Sequence, residues 1–240
     1  MIKLFQSPRA GRIELMDGAR GLAVILMVIH HFLYDLCAFL GAPWWLFTNP
    51  VFDLLHYIFA GLFIFLAGVS SRFSRSNLKR GVKVFLLAMV MTLVTTFMDM
   101  PIRFGVLHLL GFCMVFYGLT HRLWDSIPTP VMPALCLILL VGSALAVKHI
   151  AIDTELLWMF GWRYPGFYSS DYFPIFPWLF VFLTGTWAGY YIRERRLPKW
   201  FYTVKSPRIF TVPGVNALMI YVIHQPILYG LTLIIGTFIN

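Results

Sequence analysis

Apolar stretches of bilayer length recur along the whole chain, separated by short polar or basic breaks. They run over about 20–40, 51–70, 82–99, 104–120, 131–148, 173–192 and 213–238, each near the roughly 20 residues an α-helix needs to cross a hydrocarbon core. The pattern predicts an all-α fold, a polytopic membrane helical bundle of about seven transmembrane helices in a single domain over residues 1–240. Two breaks are longer than the rest. The first, 149–172, is aromatic (Trp158, Trp162, Tyr164, Tyr168, Tyr172) and has room for an interfacial or re-entrant helix, and the second, 193–210, is basic. Gly185-Thr-Trp-Ala-Gly189 inside an apolar run predicts close helix packing. Pro174, Pro177 and Pro226 predict kinks or helix starts. There is no internal repeat and no low-complexity linker, which argues against inverted-repeat transporter folds.

Composition supports the membrane assignment. The chain is 60% hydrophobic and 12% charged, against about 25% charged residues in soluble domains. The N-terminus is polar and basic, and histidines interrupt the long first run, so it does not read as a cleavable signal peptide. Cys37, Cys113 and Cys136 sit within or at the end of apolar runs and read as small buried hydrophobes rather than a disulfide set.

The net charge of +9 is distributed as a topology signal. Sixteen of the 19 Lys and Arg lie in the N-terminal segment and in the breaks near 71–83, 121–130 and 193–208; the alternate breaks hold only Arg103, Lys148 and Arg163. This places the N-terminus in the cytoplasm and the C-terminus outside. Contact with anionic lipid headgroups accounts for the basic excess without nucleic acid. The expected location is the bacterial inner (cytoplasmic) membrane.

The first apolar run carries the candidate chemistry. It opens with Arg12, Asp17 and Arg20 and then takes His30, His31 and Asp35 to membrane depth. Ionisable groups there cost roughly 2.5–3.5 kcal/mol at a helix centre and mark function by default. With Asp17 as the zero of a helical wheel, Arg20 lies at about −60°, His31 at about −40° and Asp35 at about 0°, whereas His30 lies at about −140°. The stripe selects His31 over His30. Asp35, four residues on, has the spacing that lets a carboxylate hold an imidazole and raise the basicity of its other nitrogen. His31 is therefore a candidate general base, with a structural His–Asp hydrogen bond as the plainer alternative.

Depth suggests a donor. Fourteen residues from Asp17 to His31 span about 21 Å, so a chain-like molecule held by an anionic head at the cytoplasmic surface would bring its far end to His31. Coenzyme A has this shape. Arg12, Arg20, Arg72, Arg75, Lys79 and Arg80 are suited to its phosphates, with Asp17 organising Arg12 and Arg20. Asp53 and His56 on the second run, His108 on the fourth, and Asn216, Tyr221, His224 and Gln225 on the seventh are the remaining buried polar groups. His31, His56, His108 and His224 have no metal-ligand spacing, and no metal is expected. No P-loop, GxSxG or GxGxxG occurs in its required context. The rival reading is a proton-coupled transporter or permease using His31, Asp35, His56 and His224 as a relay.

Arg12-(x4)-Asp17-Gly-x-Arg20-Gly-Leu-Ala, followed by His31, resembles the opening helix of the membrane-bound acyltransferases. The acyltransferase family three proteins belong to that group. A closer resemblance is to the heparan-alpha-glucosaminide N-acetyltransferase catalytic-domain family. It continues through Gly61-Leu-Phe-Ile-Phe-Leu-Ala-Gly68, Arg103-Phe-Gly-Val-Leu-His108, Phe173-Pro-Ile-Phe-Pro177-Trp178 and Asn216-Ala-Leu-Met-Ile-Tyr221-Val-Ile-His224-Gln-Pro226, in order.

The resemblance implies an enzyme that moves an acetyl group from cytoplasmic acetyl-CoA to a glycan or amino sugar outside, and it raises homodimeric assembly. In family three proteins a first-helix histidine at the His31 position is essential. The heparan enzyme has an asparagine there and a catalytic histidine slightly later, in the outer loop. Here that loop (Gly41-Ala-Pro-Trp-Trp-Leu) has no histidine, so the base is His31, oriented by Asp35, or else His56. The expected substrate contacts are Trp44, His108, Asn216, Tyr221, His224 and Gln225. Trp45 and the aromatics of 149–172 are further candidates to stack on a sugar.

Overall fold

The computed structural model describes residues 12–152 and 154–239. In chain order these form α1 (Glu14–Leu40), a 3-10 turn (Trp44–Leu46), α2 (Pro50–Ser71), α3 (Asn77–Phe97), α4 (Val106–Ser126), α5 (Met132–His149), a second 3-10 turn (Trp158–Phe160), α6 (Ile175–Arg193), α7 (Lys199–Thr203), α8 (Arg208–Val215) and α9 (Ala217–Ile239). Seven of them are long and apolar enough to cross a membrane: α1 to α6 and α9. Among the described residues there is no strand, and backbone bridging is limited to an isolated pair, Phe104 with Tyr172. The chain is an all-α integral membrane protein. Cys37, Cys113 and Cys136 are buried and free.

α1 begins earlier than its apolar run, at Glu14. Asp17 is consequently inside the helix and only 3% exposed. The burial is tolerated because Arg12 and Arg20 neutralise the carboxylate. At the other end Gly41 adopts a left-handed φ of 70° and returns its N–H to Leu36 O, a helix stop that glycine accommodates without a Cβ clash.

The residues fall into two compact units. One comprises 1–63 and 197–240, the other 64–196. In the first, α1 lies against α8 and α9 with backbones in contact. A Cβ on Gly21 would run into the carbonyl oxygen of Phe210, and one on Gly214 into that of Asp17. Glu14 Oε2 accepts the Ser206 N–H at 3.2 Å across the same seam. The single run expected over 213–238 is divided. Asn216 leaves helical geometry (φ −103°, ψ 18°) between α8 and α9, and its amide Nδ2 donates to Val212 O at 2.8 Å.

In the second unit the Gly185–Gly189 pair makes the close contact its spacing predicts, against the C-terminal half of α2. A Cβ on Gly185 would meet Phe65 O and one on Gly68 would meet Phe182 O. α3 and α4 approach similarly at Gly81 and Gly111. Phe176 has extended backbone (φ −99°, ψ 133°), so regular α6 starts at Pro177, as its proline predicts. Pro226 lies within α9.

Among the described residues of 149–172, helical structure beyond the end of α5 is limited to the single turn at Trp158–Phe160. The segment's aromatic rings pack on one another instead: Trp158 on Phe167 at 5.5 Å and Phe167 on Tyr172 at 5.0 Å between centroids. Tyr172 OH donates to Trp158 O and Arg103 Nη1 to Tyr164 OH, both at 2.5 Å. Burial pushes the Tyr172 phenol up to about 12 against the opposing pull of Arg163, so at neutral pH it remains a hydrogen-bond donor.

Candidate active site

The first unit gathers the polar groups that α1 and α9 carry to membrane depth. His31 Nδ1 lies 2.9 Å from Met27 O on its own helix. A carbonyl oxygen only accepts, so Nδ1 carries the hydrogen and the Nε2 of the neutral ring presents a lone pair. His224 repeats the arrangement on α9, with Nδ1 2.7 Å from Tyr221 O. Its Nε2 is buried with no hydrogen-bond partner among the described residues. The two rings meet edge to face, centroids 4.8 Å apart.

Asp35 is fully buried. Its two oxygens accept from Gln225 Nε2 at 2.9 and 3.1 Å. The i,i+4 spacing predicts that this carboxylate holds His31, but the helix carbonyl of Met27 takes the imidazole N–H and frees Asp35 to tie α1 to α9. The Gln225 Oε1 has no donor among the described residues. The face shared by α1 and α9 therefore offers acceptor atoms: two imidazole lone pairs, a carboxylate and an amide oxygen.

The helical wheel places His30 off the stripe, yet the structure brings it to the cluster from the other side. Its ring lies 4.6 Å from His56, 4.7 Å from Phe47 and 5.9 Å from His31. Adjacent residues on a helix point about 100° apart, which lets α1 present His31 to α9 and His30 to α2. A single-stripe wheel finds one such face; a helix between two partners has two. Among the described residues no three His, Cys, Asp or Glu side chains are placed to hold a metal ion.

At the foot of α1, Arg12 grips Asp17 with both prongs, Nε to Oδ2 at 2.7 Å and Nη2 to Oδ1 at 2.6 Å. Arg20 Nη1 reaches Oδ1 at 3.1 Å. With three charge-assisted bonds the carboxylate is an anchor for two guanidinium groups.

A family model described as heparan-alpha-glucosaminide N-acetyltransferase, catalytic, matches residues 12–226. The chain belongs to this family. Together with its apolar helices, that makes it a membrane acetyltransferase. The match opens at Arg12, which holds Asp17, and closes one residue beyond Gln225, which holds Asp35. Among curated proteins and among solved structures, nothing matches the chain.

The other expected site residues lie as follows. Tyr221 supplies the carbonyl that orients His224 and packs its ring 5.7 Å away. Asn216 marks the break between α8 and α9. Trp44 stands in the 3-10 turn that follows α1, half exposed, beside Tyr34 and Phe47.

In the second unit, Arg72 is engaged by protein groups. Its Nε donates to Thr186 O at 2.9 Å, its Nη2 pairs with Asp125 at 2.6 Å, and it lies over the Tyr117 ring. Lys79 and Arg80 are exposed on the first turn of α3. His108 has both ring nitrogens committed. Nδ1 accepts the Gly105 N–H at 3.2 Å, while Nε2 donates to Thr92 Oγ1 at 3.1 Å, because the Thr92 hydroxyl is spent on Ile102 O.

Proposed function

We propose that this protein transfers the acetyl group of cytoplasmic acetyl-CoA to the amino group of a glycan or amino sugar on the outer side of the cytoplasmic membrane. The observation that carries the reading is the group of acceptor atoms on the face shared by α1 and α9, above all the His224 Nε2 and Gln225 Oε1, which have no partner among the described residues. A hydroxyl brings one hydrogen to such a face, whereas an amine brings two and an ammonium three.

His31 is the base. Its Nε2 takes a proton from the attacking amine as the nitrogen bonds to the thioester carbonyl carbon. The C–S bond breaks with its electron pair on sulfur, and the thiolate leaves as the thiol after collecting that proton. Asp35, held by Gln225, fixes α1 against α9 and so keeps the His31 and His224 rings together. His56, packed on His30, is the reserve candidate for the base.

Arg12 and Arg20, clamped by Asp17, supply paired guanidinium groups for an anionic donor head. The distance of about 21 Å along the helix to His31 suits a slim arm carrying the thioester. The test is direct. Purified protein in detergent, given radiolabelled acetyl-CoA and glucosamine, forms labelled N-acetylglucosamine, and coenzyme A raises its melting temperature. Absence of thioester turnover together with absence of stabilisation by coenzyme A would overturn the proposal.

A further inference from the structure

We infer that His224 is a second base of this reaction, removing the first proton from an ammonium acceptor while His31 removes the second; the inference rests on the amine-acceptor reading above. A simple aliphatic amine is protonated at neutral pH and its nitrogen then has no lone pair with which to attack. Two protons must leave before the amide is formed. The neutral His31 ring has one bare nitrogen, since Nδ1–H is committed to Met27 O, and it accepts one proton.

His224 is built to accept the other. Its Nδ1–H is committed to Tyr221 O, its Nε2 is buried without a donor, and its ring touches that of His31. The step balances as follows. The acceptor R–NH3+ gives one proton to His224 Nε2. The resulting amine attacks the carbonyl carbon, the C–N bond forms and the second proton passes to His31 Nε2. The C–S bond then breaks with its pair on sulfur, and the thiolate takes the proton from His31. Amide, thiol and one proton on His224 remain, and that proton returns to solvent.

Among the described residues, the ionisable ring that α1 places against His224 is His31; the Asp35 carboxylate of α1 already accepts from Gln225 Nε2 with both oxygens. Its own helix supplies Tyr221 and Gln225, and the ionisable residue of α8, Arg208, is at the exposed far end of that helix.

The experiment measures acetyl transfer to glucosamine by the full-length protein across pH, with His224→Gln and His31→Gln beside the wild type. The expected result for His224→Gln is a loss of about a hundredfold in kcat/KM at neutral pH, within the range for removal of a general base. Activity recovers at alkaline pH, where the acceptor is already the free amine, and the KM for acetyl-CoA is unchanged. His31→Gln stays low throughout. Retained stabilisation by coenzyme A confirms that each variant is folded; a His224→Gln that fails this check is replaced by His224→Asn, read in the same way. Wild-type activity in a folded His224 variant, or a loss that alkaline pH does not relieve, overturns the inference alone. A wild-type protein that uses acetyl-CoA but acetylates no amine overturns the amine reading and this inference with it.

Discussion

Asp35 on α1 and Gln225 on α9 form a link between two helices that are 190 residues apart in sequence, with the amide nitrogen within 3.1 Å of both carboxylate oxygens. A fully buried carboxylate needs its donors, and this amide is the donor the structure supplies. Removing it leaves a buried acceptor unsatisfied, at a cost of about 1–3 kcal/mol. Gln225→Leu is expected to lower the melting temperature of the detergent-solubilised protein, and Asp35→Asn with Gln225→Leu to recover part of the loss. A double-mutant cycle without coupling between the two positions would refute the link.

His31 and His108 should separate chemistry from stability. His31→Ala removes a free Nε2 and is expected to lower kcat by about 10²–10⁴ with the fold intact. His108→Phe removes an acceptor for Gly105 N–H and a donor to Thr92, and is expected to cost about 1–3 kcal/mol of stability. Its residual turnover per folded molecule should match that of the wild type. Turnover by His31→Ala at the wild-type rate would move the base elsewhere, with His56 the next position to substitute.

The spans were legible in the sequence because bilayer length and hydropathy set them, and α2 to α6 match the apolar runs to within a few residues. The start of α1 and the break at Asn216 were less legible. Both depend on side chains finding distant or local partners: Asp17 with Arg12 and Arg20, and Asn216 with the Val212 carbonyl.

The site was partly legible. His31, Asp35, His224 and Gln225 stand out by their depth in the apolar runs alone, yet who bonds whom does not. The Asp35–His31 spacing gave way to a backbone carbonyl and a cross-helix amide. His30 was lost because one wheel describes one face. The commitment of Arg72 to Thr186 and Asp125 depends on tertiary contacts that no local pattern encodes.

Glycine positions offer a test of the backbone seam between α1 and α8. Gly21→Val and Gly214→Val place a side chain against Phe210 O and Asp17 O respectively, contacts that no rotamer relieves, because the obstacle is backbone. Both are expected to abolish accumulation of folded protein. Gly142→Ala in α5 meets nothing within 4 Å and is expected to be neutral or to stabilise by about 0.5–1 kcal/mol through helix propensity. Equal tolerance at all three positions, read by size-exclusion monodispersity and melting temperature, would contradict the packing described.

The foot of α1 bears on donor affinity more than on chemistry. Asp17 is buried and holds Arg12 and Arg20, whose side chains remain 37% and 15% exposed. Part of each side chain is thus still open to solvent while its guanidinium is fixed from behind by Asp17. Asp17→Asn keeps the size and removes the charge that orients both. The expected outcome is a rise of about tenfold in the KM for acetyl-CoA, the equivalent of about 1.4 kcal/mol, with kcat changed far less, because no proton passes through this carboxylate. Arg20→Ala should raise KM more than Arg12→Ala, since the less exposed arginine interacts through less screening water. High salt should narrow the difference between wild type and variants. A fall in kcat with KM unchanged would instead place Asp17 in the chemical step and overturn its assignment as an anchor.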